Sequence, residues 1–269
     1  MDFFDLSKII VTKIFFTKAS IDDIKTTEIK DMEVYFFISI LLAINILQFL
    51  YYQDTNILKN LAINLIAFGG MGFLLYFTGQ WGMGDSFLLL SLGLLNVFRN
   101  FFEIINWILI TFSTGIIFIF IFSLIFVIVS KRNEKMPAIS ILSMISSLYL
   151  LFISLYFIQS MKFIEFLFSF LIFLYLSIPF LNYVKKLMIK RVSITELKEG
   201  DVLYDFKTWR GITKKEIMEL KKKGVRYVYI KEGVRYAPTF LFVLILLILE
   251  KLFQLTILTF FPQDFFLAL

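Results

Sequence analysis

The carboxylates are the residues of this chain best suited to chemistry, because two common alternatives are missing. The 269 residues include no His and no Cys, which excludes a Ser-His triad, a thiolate nucleophile and most zinc sites. A hydrolase built from this sequence would depend on a pair of carboxylates or on a Ser/Lys pair. No serine is paired with a lysine in a convincing buried context, so the carboxylates are preferred.

The most distinctive candidate is Asp85, which ends the stretch Trp81-Gly-Met-Gly-Asp85 between two apolar runs. Gly82 and Gly84, with Met83 between them, are expected to let the backbone turn where bulkier residues would clash. A carboxylate in the first turn of a membrane-embedded helix is costly, which makes it a candidate for function. An N-cap role for Asp85 explains the same pattern equally well.

A second carboxylate lies in the charged link that follows the first apolar segment. Asp23 is the predicted partner of Asp85, and Asp22 is the alternative because it lies one residue away. Two simpler interpretations stay open for Asp23. It has the spacing of a capping box with Ser20, and a short charged link between two membrane segments is commonly just solvated.

Composition predicts an all-α polytopic membrane protein. The mean hydropathy is +0.84, and 59% of the residues are apolar, more than is usual for a soluble domain. A membrane-crossing helix needs about 20 apolar residues, and about eight segments approach this. The lysines of the first segment, and the lack of a small-residue cleavage site, predict no cleavable signal. The eight segments are residues 3–21, 33–51, 57–79, 85–98, 103–130, 138–158, 163–184 and 238–260.

A small cytosolic α+β insert is predicted between the last two of these segments. Residues 185–236 alternate short strands and turns, and Thr213 with Glu216 forms a capping box that begins a helix. The chain is thereby divided into a membrane-embedded core, 1–184, this module, and a C-terminal helix and tail, 237–269. The module is strongly basic, so it is expected to meet membrane lipid head groups or acidic partners rather than nucleic acid.

Charge predicts which side of the membrane holds the two aspartates. The link 131–135 and the module are both net basic, so the positive-inside rule places both in the cytosol. Counting back from this link places the 82–85 turn and the 22–32 link on the cytosolic side as well. Asp23 and Asp85 then lie at the same membrane depth, by an argument that uses neither of them.

Close helix packing is predicted next to the turn. Six of the chain's 12 glycines fall between residues 69 and 84, and small residues let membrane helices approach each other. This packing is expected to bring the 22–32 link toward Asp85.

In combination, these stretches resemble the GxGD membrane aspartyl peptidases, specifically the archaeal prepilin and preflagellin (class III signal) peptidases. Asp23-Ile-Lys-Thr-Thr-Glu-Ile29 is similar to the segment that begins with that family's first catalytic aspartate. Gly82-Met-Gly-Asp85 is similar to its second catalytic motif. The resemblance extends over most of the chain, from about Ser20 to Pro238.

The module adds to the resemblance, and three features depart from it. Glu199-Gly-Asp-Val202, Gly211-Ile-Thr213 and Ile230-Lys-Glu-Gly233 look like the C-terminal module of one archaeal branch. Lys30 stands where the family commonly has proline, and Ser86 follows Asp85 where many members soon have a lysine. The first apolar segment is also unusually rich in lysine.

The resemblance implies a multi-pass aspartic endopeptidase of the cell membrane, without cofactor or metal. Asp23 and Asp85 would form its catalytic pair, and Gly82, Met83 and Gly84 would shape the turn against the substrate backbone. Its substrates would be prepilin-like or preflagellin-like precursors, which lose a short charged leader at the cytosolic membrane boundary. The alternative is a non-catalytic membrane transporter or pilus-assembly scaffold, whose aspartates merely cap helices.

Two aspartates suit hydrolysis when they share one proton. Neighbouring carboxylates cannot both ionise cheaply, so one pKa rises and the pair holds a proton between them. The ionised member then takes a proton from water, and the neutral member polarises the scissile carbonyl. The sequence does not assign these two roles.

Overall fold

The protein is mostly helical and carries one small sheet. The computed structural model describes residues 2–26, 29–96, 98, 100–130, 136–159, 163–205 and 211–253. Its helices and strands follow in chain order: α1 Phe3–Thr26, α2 Asp31–Tyr52, α3 Thr55–Asn64, a π-helical turn Leu65–Gly69, α4 Gly70–Phe77, α5 Met83–Leu94, α6 Phe101–Val129, α7 Ala138–Gln159, α8 Phe163–Leu187, β1 Ile189–Ser193, β2 Val202–Leu203, α9 Lys214–Lys222, β3 Tyr227–Lys231 and α10 Ala237–Phe253.

Four helical segments in the described part of the chain are long and apolar enough to cross a membrane. They are Met32–Tyr52, Thr55–Phe77, Glu103–Val129 and Phe168–Leu187. These correspond to the second, third, fifth and seventh predicted segments. The coarse prediction of a helical membrane protein is therefore supported, whereas eight crossings stay a prediction.

The described residues of the other four predicted segments are also helical. The first, α1, contains acidic and basic residues along its length. The fourth, α5, has 12 residues. Among the described residues, the apolar stretches of the other two are Ala138–Ile153 in α7 and Ala237–Glu250 in α10. The basic link 131–135 and residues 254–260 of the last segment lie outside the described residues.

The described chain forms two compact units. One contains the chain up to Gly115 together with the chain from Arg191 through α10, and the other contains residues 116–190. The first unit holds every residue of the candidate site. The predicted division at residues 184 and 236 is a different kind of boundary, and it stays a prediction.

In the second unit α7 packs against α8. Pro179 lies inside α8 and has no N–H to donate to the helix. The hydroxyl of Ser143 donates to the carbonyl of Leu176 and accepts from the N–H of Phe180 at 3.2 Å. A serine of α7 therefore replaces one internal hydrogen bond of α8 next to this proline.

The insert is an α+β module, as predicted. Its three strands lie in the order β1-β3-β2, with β2 antiparallel to β3. Thr213 and Glu216 form both halves of the capping box that begins α9, and Gly224 follows this helix with φ +74°. The core of the module is apolar and contains Ile194, Leu197, Ile212 and Ile217.

A buried polar cluster joins three helices of the first unit. Lys8 of α1 is 0% exposed, and its ammonium contacts Asp5 and the Gln48 side-chain oxygen, both at 3.0 Å. Asn45, one turn before Gln48 on α2, donates to the carbonyl of Leu94 at 2.8 Å. These hydrogen bonds connect α1 to α2, and α2 to the end of α5. The two helices that carry the candidate aspartates, α1 and α5, are therefore both anchored to α2.

Candidate active site

Three helix ends meet in the first unit. Asp23 lies in the last turn of α1 and accepts a hydrogen bond, at 2.9 Å, from the backbone N–H of Ala237, the first residue of α10. Asp85 is the third residue of α5. The charge of Asp23 raises the pKa of Asp85. The charge of Asp85 in turn raises the pKa of Tyr236, which immediately precedes α10. None of these residues belongs to the four membrane-length segments.

Asp23 is buried rather than solvated. Because α1 continues to Thr26, this residue lies on a helix and is only 8% exposed. Burial raises its pKa, while the N–H of Ala237 and the charge of Arg235 act in the opposite direction by stabilising the carboxylate. The predicted capping box does not form, since the hydroxyl of Ser20 donates to the carbonyl of Phe16 within the helix. Both simple interpretations of Asp23 are therefore wrong.

Asp22, the alternative first aspartate, lies in a different environment. Its carboxylate pairs with Lys18 at 3.1 Å, and both side chains are partly exposed. Lys18 also pairs with Glu33 of α2. Asp22 thus belongs to an exposed group of charges, whereas its neighbour Asp23 lies at the meeting of the helix ends.

Asp85 is surrounded by protein on most sides but remains partly accessible to solvent. Part of its side-chain surface stays exposed. Burial by the surrounding protein, and then the negative charge of Asp23, raise the pKa of Asp85 to about 7, against a lowering effect of the Gly82 N–H. Gly82 is the N-cap of α5, so the predicted N-cap role for Asp85 is wrong. Its carboxylate instead reaches back to the N-cap N–H, as the third residue does in half of a capping box.

Neither Gly82 nor Gly84 adopts the positive φ that favours glycine. Gly82 has φ −72°, and in this turn the positive φ belongs to Gly79, at +71°. A Cβ on Gly82 would lie 3.6 Å from Oδ2 of Asp85, and a Cβ on Gly84 would lie 3.4 Å from Ile29. A Cβ on Gly82 would therefore make only an ordinary van der Waals contact with the carboxyl group. Gly84 lets the two motifs pack together, with Met83 between the glycines in the first position of α5.

The glycine-rich segment packs closely against α5, as expected. A Cβ on Gly72 would lie 2.9 Å from the backbone oxygen of Ser86, and a Cβ on Gly93 would lie 2.8 Å from that of Asn64. The Ser86 hydroxyl donates to the carbonyl of Gly72 at 2.8 Å. Ser86, where the family resemblance would place a lysine shortly after Asp85, thus fixes α4 on the first turn of α5.

An aromatic group completes the wall of the site, and the sequence did not identify it. The ring centroids of Trp81 and Tyr236 are 5.2 Å apart, and Phe240 lies within 6 Å of both. The Tyr236 hydroxyl lies where a Cβ on Gly115 would be. The signal that was available is the start of α10, where Tyr236-Ala237-Pro238 begins a helix without a common capping residue.

Comparisons with known protein families, with curated proteins and with solved structures found no match. The family resemblance therefore stays a prediction, and the argument for function depends on the geometry of the site. Residues 27 and 28 of the first motif lie outside the described residues. In the part of the chain that is described, no three acidic side chains cluster as metal ligands.

The arrangement suits acid–base chemistry by two unequal carboxyl groups. Asp23 is shielded from solvent and accepts a main-chain N–H, whereas Asp85 is partly accessible and has a pKa of about 7. A pKa of about 7 makes both the carboxylate and the carboxylic acid form of Asp85 accessible near neutral pH. These are the two forms that hydrolysis of an amide by activated water requires.

Proposed function

We propose that this protein is a membrane aspartyl endopeptidase with Asp23 and Asp85 as its catalytic pair. Its substrates are prepilin-like or preflagellin-like precursors, from which it removes a short charged leader. The observation that carries the proposal is the contact between two motifs whose aspartates lie 62 positions apart in the sequence. A Cβ on Gly84 would lie 3.4 Å from Ile29, and the charge of Asp23 raises the pKa of Asp85. Coupled carboxyl groups with raised pKa values are a common feature of catalytic sites.

The position of the pair at helix ends supports this choice of substrate. Asp23 lies in the last turn of α1 and Asp85 in the first turn of α5, so both lie near a boundary between a helix and its link. A precursor whose charged leader precedes an apolar helix has its scissile bond at an equivalent boundary.

The membrane topology belongs to the same proposal. We propose eight crossings, with the dyad on the cytosolic side of a multi-pass cell-membrane protein and the basic module on that same side. The contact between Asp23 and Ala237 supports the shared side, because Ala237 directly follows the module in the sequence. In this topology the basic module lies beside the lipid head groups, which are a proposed partner of the protein.

A matched set of asparagine variants tests the catalytic proposal. Asp23→Asn and Asp85→Asn are each expected to reduce precursor cleavage by at least about 100-fold, since each removes an acid–base group. Asp22→Asn is the control, because that carboxylate pairs with Lys18 in an exposed position, and it should retain near-normal activity. Full cleavage by either Asp23→Asn or Asp85→Asn would overturn the proposal.

The cleavage position is a second, independent test. Mass spectrometry of the product should place the cut at the junction of leader and apolar segment, and that apolar segment should stay whole. A cut well inside the apolar segment would instead indicate intramembrane proteolysis of the presenilin kind.

A transporter or pilus-assembly scaffold is the alternative function. The buried cluster of Lys8, Asn45 and Gln48 is the observation that favours it, since ionisable residues within membrane helices are often part of transport paths. Solute flux or partner binding that survives in an Asp23→Asn/Asp85→Asn double variant would support this alternative.

A further inference from the structure

Helix α10 begins without a capping residue of its own. Val234, Arg235 and Tyr236 precede it, and none has the short oxygen-bearing side chain that usually caps a helix. The first free N–H, that of Ala237, is donated to Asp23 at 2.9 Å, and the second residue is Pro238, which has no N–H. Asp23 therefore caps α10 from another helix, 214 residues away in the sequence.

This cap distinguishes the two aspartates electrostatically. The positive end of a helix and its free N–H groups favour a carboxylate over a carboxylic acid. The charge of Arg235 acts on Asp23 in the same direction. For Asp85, burial and the charge of Asp23 favour the carboxylic acid, against the opposite effect of the Gly82 N–H. The single proton of the pair is therefore better placed on Asp85.

We propose that the start of α10 makes Asp23 the base and Asp85 the acid, with Arg235 and the N–H of Ala237 as the groups that hold Asp23 ionised. This inference rests on the proposed function. Arg235 and Ala237 are positioning residues, because they act through Asp23 and do not contact the reacting atoms.

The proton movements then follow. Asp23 removes a proton from water as the water oxygen bonds to the scissile carbonyl carbon, and Asp85 gives its proton to the carbonyl oxygen, which yields a tetrahedral diol. As the C–N bond breaks, Asp23 gives its proton to the leaving nitrogen. One diol hydroxyl returns its proton to Asp85 and becomes the carbonyl of the product acid. The enzyme ends in the state in which it began.

The charged and titratable groups around Asp23 come from three elements. Arg235 lies just before α10 and acts on Asp23, and Asp85 belongs to α5. Tyr236, next to Arg235, interacts with Asp85. On α1 itself, the neighbouring Asp22 is engaged by Lys18. Among these, Arg235 is the group whose removal changes the charge beside Asp23 without changing either aspartate.

Two pairs of variants of the full-length protein in detergent test the inference. Ala237→Pro removes the N–H while keeping a residue that suits the first position of a helix, and Ala237→Gly keeps the N–H as its control. Arg235→Gln removes the charge, and Arg235→Lys restores it. The readouts are the pH profile of precursor cleavage and the pH dependence of Asp23 modification by a hydrophobic carbodiimide, which reacts with protonated carboxyl groups and is followed by peptide mass spectrometry.

Ala237→Pro and Arg235→Gln should each raise two midpoint pH values. One is the midpoint of Asp23 labelling, and the other is the midpoint of the acid limb of the cleavage profile. In Arg235→Gln the pH at which Asp23 becomes protonated should rise by about one unit or more, the size expected when a neighbouring arginine is lost. The acid limb of the cleavage profile should move with it, because Asp23 is the base. Arg235→Lys and Ala237→Gly should stay near the wild-type midpoints.

The labelling readout separates this inference from the proposed function. If the wild type cleaves no precursor, the proposed function fails, and labelling alone shows whether α10 holds Asp23 ionised. Wild-type midpoints in both Ala237→Pro and Arg235→Gln would overturn the inference even in a protein that cleaves precursors normally. An acid limb that follows modification of Asp85 rather than Asp23 would also overturn it.

Discussion

Gly84 packs directly against Ile29. A Cβ on Gly84 would lie 3.4 Å from both Cβ and Cδ1 of Ile29. Ile29 ends the segment that begins with Asp23, and Gly84 immediately precedes Asp85, so the contact joins the two motifs one residue from a candidate catalytic group. The packing of one motif on the other thereby sets the position of Asp85 relative to Asp23.

A branched side chain at position 84 is expected to separate the motifs. Gly84→Val should lower the rate of precursor cleavage by about tenfold or more, because small displacements of catalytic groups are costly. Adding Ile29→Ala should restore much of the lost rate by making room for the valine. The rates are measured with detergent-solubilised protein. A double variant no better than Gly84→Val would contradict the steric explanation.

Two neighbouring glycines of α4 offer a matched test of helix packing. Gly72→Ala should destabilise the protein by about 1–3 kcal/mol, as overpacking usually does, because its Cβ would lie 2.9 Å from the backbone oxygen of Ser86. Gly70→Ala should be neutral or stabilising, since nothing lies within 4 Å of its Cβ and alanine favours a helix. Thermal unfolding in detergent checks both. Equal stability of the two variants would argue against close packing of α4 on α5.

The sequence predicts these elements well where the signal is local. The capping box at Thr213 and the apolar run of α2 lie within short windows, and both elements form as expected. Glycine spacing also predicted the close approach of α4 to α5, because glycines in membrane helices commonly let two helix backbones approach each other.

The environment of Asp23 was not predictable in the same way. Its principal partner is a main-chain N–H, and every residue type except proline supplies one, so Ala237 carries no distinguishing signal. The length of α1 was underestimated for a related reason. Charged residues near its end suggested a link, but Asp23 is stabilised there by a helix that arrives 214 residues later.

Asp85 is expected to make stability depend on pH. Its pKa rises from the ordinary value of 3.8 to about 7 in the folded protein, so between these values the unfolded chain binds fewer protons than the folded one. Stability should therefore fall as the pH rises from about 4 to about 7. Asp85→Asn should flatten this slope and be the more stable protein at pH 8. Thermal unfolding over this range measures both, and a slope unchanged in Asp85→Asn would place its origin elsewhere.

The absence of cysteine makes the proposed orientation directly testable. Single cysteines introduced into the native chain react without background, since the sequence has none. Met218 is 58% exposed on α9 of the basic module, and Asn56 is exposed at the start of α3, on the opposite side of the proposed topology. In intact cells an impermeant maleimide should label Asn56→Cys, whereas Met218→Cys should react only after permeabilisation. The reverse pattern would place the module, and with it Ala237 and Asp23, on the outer side, where a leader that stays in the cytosol could not reach the dyad.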